Sequence, residues 1–304
     1  MSARSILPAA TLLLAACASN AQVTAQTPAA LPAGTPAAEF VAHCAGKDGW
    51  SDPAPPVRIF GNVYQVGTCG IVSLLVVSDE GLVLIDGATK EAAPRIAANI
   101  QRLGFEPSEV KWIAATHEHH DHAGGLAELR RLTGARVAST AAQKPGIESG
   151  QPGEGDPQRG SIDGFEGIRV DRVLAAGDPL TLGNVTVTPI PSFGHALGST
   201  SWTVRACEGE ACHDVVYADS VSAVSADTYR FTDHPEYVAE FRRTLDRIAG
   251  LKCDLLITPH PSASALYDRL AGKAPLTDPA ACRRYAATAR TNLDARLATE
   301  AAQR

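Results

Sequence analysis

Beyond residue 17 the chain lacks any apolar run long enough to cross a bilayer as a helix. It also lacks a basic cluster: 27 Lys and Arg stand against 33 Asp and Glu, the formal charge is −6, and the basic residues are scattered. Nucleic acid and an anionic membrane surface are therefore poor partners, and a small-molecule substrate is expected instead. The body of the chain, about 260 residues, suffices for one large α/β domain. A monomer is the expectation.

The first residues form a leader. Arg4 is the only charge before an apolar stretch that ends "LLLAAC" at Cys17, too short for a mature membrane helix and suited to a secretory signal. "LAAC" (Leu14 to Cys17) resembles the lipobox of bacterial lipoproteins, and small residues in "ASNAQ" offer a rival cleavage point near Ala21. The division expected is a signal peptide with lipobox over 1–17, a tether rich in Ala, Pro, Thr and Gln over 18–38, and a folded domain over 39–304. Export to the periplasm follows, with Cys17 as a lipid anchor to the outer membrane and the only membrane contact.

Six cysteines remain after Cys17: Cys44, Cys69, Cys207, Cys212, Cys253 and Cys282. An even set suits an oxidising compartment, but six cysteines allow fifteen pairings and the sequence does not choose among them. "ACEGEAC" does place Cys207 and Cys212 either side of a Gly-centred turn between two strand-like runs.

Strands come first along the body of the chain, then alternation. "RIFGNVYQVG", "IVSLLVVS" and "GLVLIDG" are β-branched, turn-bounded runs. A helical pattern over residues 92–103 follows, then the short strand "KWIAAT", a helix with Leu126, Leu129 and Leu132 stopped by Gly134, and the strand "ARVAST". The second half repeats the theme with "LTLGNVTVTPIP", "STSWTVRA", "HDVVYAD", a helix over 237–248, the strand "CDLLITPH" and a closing helix from 279 to about 298. Two similar halves predict two sheets packed face to face with helices outside, an α/β, αββα four-layer sandwich. Residues 146–167 hold seven glycines and little to bury, which predicts a solvated surface loop and a candidate substrate flap.

"THEHHDHAGG" packs four histidines and an aspartate into residues 117–122 of a chain with nine histidines. His117 and His119 are two apart at a strand end, so extended backbone turns both rings to one side, while Asp121 and His122 can turn toward a neighbouring position. His195 in "PSFGHALGS" and His260 in "LLITPHPSAS" also end strand-like runs, with Gly194 and prolines beside them. Small or rigid neighbours let a ring point into a cleft, and two adjacent metal sites become possible. His43, His213 and His234 share no such pattern. His120, inside the motif, is expected to face away.

"THEHHDHAGG" resembles the H-x-H-x-D-H signature of the metallo-β-lactamase superfamily, and with "GH" at His195 and "TPHP" at His260 the similarity runs from Arg58 to the C-terminus. Within it the chain resembles subclass B3, through "GTCGIVSLLV", "VLIDGATK", "YADSVSA" and "CDLLITPHPSAS". The resemblance implies two Zn²⁺ ions, one held by His117, His119 and His195, the other by Asp121, His122 and His260. No cysteine lies near "ADS", which excludes the subclass with a thiolate ligand. The implied activity is β-lactam hydrolysis of penicillins, cephalosporins or carbapenems by a zinc-bound hydroxide that Asp121 orients. It also implies Ser220 and Ser222 as holders of the substrate carboxylate, and pairing of Cys44 with Cys69, Cys207 with Cys212, and Cys253 with Cys282. Trp50 is placed to flank the cleft or to pack in the core. Rival readings are a glyoxalase II-like thioesterase or lactonase, in which Asp219 would bridge the metals, and a zinc-binding lipoprotein without turnover. Asp219 is expected to lie beneath the site as a hydrogen-bonding residue rather than a ligand.

Overall fold

The computed structural model describes Met1 and residues 31–303, so the leader, Cys17 and the tether as far as residue 30 lie outside the described residues. The elements run α1 (Ala37–Cys44), β1 (Val57–Phe60), β2 (Val63–Gln65), β3 (Leu74–Ser78), β4 (Gly81–Ile85), α2 (Ala93–Arg102), β5 (Val110–Ala114), α3 (His120–Ala123), α4 (Leu126–Thr133), β6 (Arg136–Thr140), α5 (Lys144–Ser149) and β7 (Arg172–Leu174). They continue with β8 (Leu180–Leu182), β9 (Val185–Pro191), β10 (Thr200–Glu208), β11 (Ala211–Tyr217), α6 (Pro235–Ala249), β12 (Leu255–Ile257), α7 (Leu266–Leu270) and α8 (Ala281–Ala302).

Two sheets form, one ordered β1-β2-β3-β4-β5-β6-β7 and the other β12-β11-β10-β9-β8. The alternation of side chains along each strand assigns the layers. On β3, Leu74 and Val76 face the second sheet, while Leu75 and Val77 join the cluster that contains Ile96, Ile100, Leu126 and Leu129 of α2 and α4. On β12, Leu255 and Ile257 face the first sheet and Leu256 packs with Phe241, Leu245 and Leu293 of α6 and α8. Strands buried on both faces read as continuous apolar runs, which is why "LLVV", "LVLI" and "LLI" carry no polar alternation. The result is the expected αββα sandwich.

Three expectations need correction. "RIFGNVYQVG" is a hairpin of β1 and β2 rather than one run: Gly61 turns at φ 52, and a Cβ there would stand 2.5 Å from the carbonyl oxygen of Cys207. Ordered structure also begins ahead of residue 39, because Tyr64 donates to the Pro32 carbonyl at 2.8 Å and the Thr35 amide to Pro56 at 2.8 Å. Backbone pairing needs no apolar periodicity, so composition gave no sign of it. The 146–167 segment, finally, is not simply solvated: Asp156 and Gln158 are 3% and 8% exposed.

The six cysteines come together as Cys44 with Cys69, Cys207 with Cys212 and Cys253 with Cys282, at Cα separations of 5.3, 4.1 and 6.2 Å. The Cys207 pair sits opposite one another where β10 meets β11. Among the described residues no helix is long and apolar enough to cross a membrane.

Candidate metal centre

β4 and β5 are parallel, and so are β11 and β12; β9 shares the direction of β11 across the antiparallel β10. The segments leaving the C-terminal ends of these strands therefore gather at one edge of the sandwich. β5 delivers His117 and His119 and then α3, whose single turn carries Asp121 and His122. β9 delivers His195, β11 delivers Asp219 to Ser222, and β12 delivers His260. Gly194 is required before His195: its φ is 146, and a Cβ would stand 2.2 Å from the ring of Phe241.

Ligand atoms of His117, His119 and His195 lie within 4.8 Å of one another, as do those of His117, Asp121 and His122. All five residues are buried. His260 stands outside these two groups, a third exposed, with Nε2 3.4 Å from Asp121 Oδ2 and its ring 5.1 Å from that of His122. The structure thus brings all six expected ligands to one place. His120 does not join them. Its ring lies tilted 5.3 Å from that of Trp50, whose exposed indole also lies 6.2 Å from His260, so Trp50 flanks the cleft and is not core.

Four of the five imidazoles, all but His260, are fixed from behind. His117 Nδ1 donates to Asp219 Oδ1 at 2.9 Å, His122 Nδ1 to Asp86 Oδ2 at 3.2 Å, and His119 Nε2 to Asp156 Oδ2 at 3.1 Å. His195 Nδ1 lies 3.1 and 3.0 Å from the carbonyl and hydroxyl oxygens of Ser222. Such partners choose the tautomer and leave the opposite nitrogen free for a metal. Consistent with that, His117 Nε2 is buried with no partner, and His122 Nε2 lies 3.0 Å from Asp121 Oδ2 without hydrogen-bond alignment. Orphaned buried nitrogens aimed at a shared point, with a carboxylate beside them, fit a cation. His195 Nε2 has Gln158 Nε2 at 3.3 Å, so the loop amide covers the nitrogen that a metal would take.

Electrostatics divides the two groups. Burial, aided by the neighbouring imidazoles, holds His195 down to about 3 and His117 well below its usual value. Both are neutral, as ligands must be. Burial also opposes charge on His122, but the Asp121 and Asp86 carboxylates outweigh it and raise it to about 10. Burial pushes Asp121 up, yet His122, His260 and His117 together bring it well below the carboxylate range.

Several contributors carry no signal that sequence reasoning used. Asp86, at φ 69, also accepts from the Thr116 amide and hydroxyl and from Tyr217. A left-handed non-glycine residue persists where its surroundings over-determine it, and the sequence hint is only an aspartate ending an apolar strand. Asp156 and Gln158 sit in the Gly-rich segment, where nothing marked them. Glu118 lies between His117 and His119 in the chain, fully buried. Burial raises it to about 8, and its Oε1 accepts from the Gly198 amide at 2.8 Å, tying the His117 loop to the His195 loop. Asp219 stays on the outer edge of His117 and belongs to neither ligand group. Ser220 is nearly buried, and Ser222 turns its hydroxyl onto His195.

A four-layer sandwich with two adjoining histidine and aspartate clusters at its strand ends is a metal-binding hydrolase architecture. The family model described as the metallo-beta-lactamase superfamily matches residues 66–260, and the chain belongs to that superfamily. It is 51% identical to the metallo-β-lactamase MIM-1 from Novosphingobium pentaromativorans, over 87% of this chain and 98% of that one, with a TM-score of 0.85. It is 40% identical to MEM-A1, a subclass B3 metallo-β-lactamase from a soil metagenome library, over 84% and 100% of the two chains, with a TM-score of 0.80. A hydroxyacylglutathione hydrolase from Acidiphilium cryptum (strain JF-5) is 25% identical over 161 residues, 53% of this chain and 54% of its own. The chain spans about half the length of the curated relatives it matches.

Proposed function

We propose that the chain is a subclass B3 β-lactamase that hydrolyses the β-lactam amide at a centre of two Zn²⁺ ions. The observation that carries this is the three-histidine group adjoining the aspartate and histidine group, in a chain that matches metallo-β-lactamases over nearly their whole length. Bound zinc supplies Lewis acidity, lowering the pKa of water to about 7 and polarising a carbonyl. The chain's own residues do the rest. Asp219, Asp156, Asp86 and Ser222 lock the rings, so geometry is set before substrate arrives. Asp121 orients the attacking water as a hydrogen-bond acceptor. Trp50 and the Gln158 segment wall the cleft.

The thioesterase reading needs Asp219 on the metals, and Asp219 instead accepts from His117 Nδ1. The test is a panel of a penicillin, a cephalosporin, a carbapenem, a lactone and a glutathione thioester with purified, zinc-loaded protein, with metal analysis alongside. Turnover of the β-lactams, two zinc ions per chain and loss of activity to a chelator are expected. Thioester turnover without β-lactam turnover would overturn the proposal.

Ser220 is proposed to hold the substrate carboxylate. Ser220→Ala should raise KM severalfold with kcat little changed, the pattern of lost uniform binding. Ser222→Ala should behave differently because its hydroxyl braces His195: metal affinity should fall along with activity. Equal effects of the two on KM alone, with metal retained, would reject this division.

We propose further that the protein is exported to the periplasm, monomeric, and tethered through a lipid on Cys17. Cys17→Ser should move it from the membrane to the soluble or unprocessed fraction without changing activity, as cell fractionation would show. The three cysteine pairs are proposed as disulfides. Removing the Cys253–Cys282 bridge, at a separation of 29 residues, should cost about 3.5 kcal/mol, against about 2 kcal/mol for Cys207–Cys212 at 5 residues. Thermal unfolding of the two double alanine variants checks the order.

A further inference from the structure

Glu118 is buried beside the metal centre, and the hydrolysis described above does not call on it. Two glycines make room for its side chain. A Cβ on Gly146, in α5, would lie 2.4 Å from Glu118 Cγ, and one on Gly198, in the His195 loop, would lie 2.5 Å from Glu118 Oε2 and 2.4 Å from Cα of Gln143. The other oxygen, Oε1, accepts from the Gly198 amide at 2.8 Å.

That bond stands in for one between backbones. The segment leaving β5 and the segment entering β10 run in opposite directions, and the Thr200 amide donates to the Thr116 carbonyl at 2.7 Å. In an antiparallel pair the next rung joins residues two further on, here 118 and 198. At that rung the Glu118 carboxyl accepts where a backbone carbonyl would, so the segments are held apart by a side chain rather than closed to the spacing of a ladder, about 4.8 Å. The parting falls between metal ligands: His117 and His119 lie on one segment and His195 on the other. The Ser192 amide donates to the Ser199 carbonyl at 2.8 Å and the Ala196 amide to Ser199 Oγ at 3.1 Å, so the loop that carries His195 moves with Gly198. We propose that Glu118 is a positioning residue, a spacer whose length sets the opening between the His117–His119 segment and the His195 loop, and with it the fit of the three-histidine position to its metal. Asp121, His122 and His260 lie outside the His195 loop, so the second position does not depend on the spacer. The inference rests on the two-metal reading above.

Three variants separate length from charge. Glu118→Gln keeps the length and an acceptor for the Gly198 amide. Glu118→Asp keeps the carboxyl but is one methylene short. Gly146→Ala, which suits a helix, presses on Glu118 Cγ from the α5 side and touches no ligand. Stepwise zinc affinities are measured by competition with a chelator of known affinity, with thermal unfolding of the metal-free proteins alongside. Glu118→Asp and Gly146→Ala should weaken one of the two zinc ions about 10–100-fold, the scale of losing a ligand's support, while the other zinc and both zincs of Glu118→Gln stay near the values of the unaltered protein. A residue that only stabilises the fold would lower the unfolding temperature of the metal-free protein without separating the two affinities. That outcome, or Glu118→Gln weakening zinc as much as Glu118→Asp, would overturn this proposal alone; Gly146→Ala, which deletes no hydrogen bond, decides the matter if a Glu118 variant does not fold. Failure of the unaltered protein to bind zinc would overturn the two-metal reading and this one with it.

Discussion

His117→Ala should empty the three-histidine metal position and lower β-lactam turnover by at least about a thousandfold, because the metal supplies both the acidified water and the carbonyl polarisation. His117 Nε2 is buried without a partner, beside the ligand atoms of His119 and His195. The fold should survive. The substitution leaves Asp219 Oδ1 with only the Ser220 amide as donor among these contacts, a loss of about 1–3 kcal/mol in a domain with three extensive apolar layers. His120→Ala is the control: its ring touches Trp50 and lies in no ligand group. Metal content and kcat/KM of the two variants, measured on protein with unchanged circular dichroism, check the expectation. If His120→Ala is as inactive as His117→Ala, the assignment of ligands is wrong.

How much of this could be read from residues alone follows from the range of each interaction. The metal cluster was legible because four of its members fall within six positions, and the local backbone turns them toward one point. His195 and His260 were legible as strand-end residues with small or rigid neighbours. The layers were legible because β3, β4 and β12 are apolar on both faces. The braces were not. Asp156 reaches His119 across 37 residues and Asp219 reaches His117 across 102, and an aspartate in a Gly-rich loop looks like any solvated one until the loop's path is known. The turn at Gly61 was missed for a related reason: what forbids a side chain there is the backbone of Cys207, distant in sequence.

Asp219 should divide charge from shape. It is fully buried, burial pushes its carboxyl up while His195 opposes, and Oδ1 accepts from both His117 Nδ1 and the Ser220 amide. Its own amide donates to Ser201 Oγ and its carbonyl accepts from Tyr285, so the backbone is held independently of the side chain. Asp219→Asn keeps an oxygen that can accept from His117 and should retain two metal ions with activity reduced modestly. Asp219→Ala removes the acceptor, frees His117 to rotate or change tautomer, and should weaken metal binding about 10–100-fold, the usual consequence of losing such a brace. A carboxylate bridging two metals predicts something else: Asn and Ala would then be nearly equivalent, since neither supplies the shared negative charge. Competition with a chelator of known affinity separates the outcomes. Equal loss of metal in Asp219→Asn and Asp219→Ala, accompanied by thioester turnover in the unaltered protein, would return the chain to the glyoxalase-like reading.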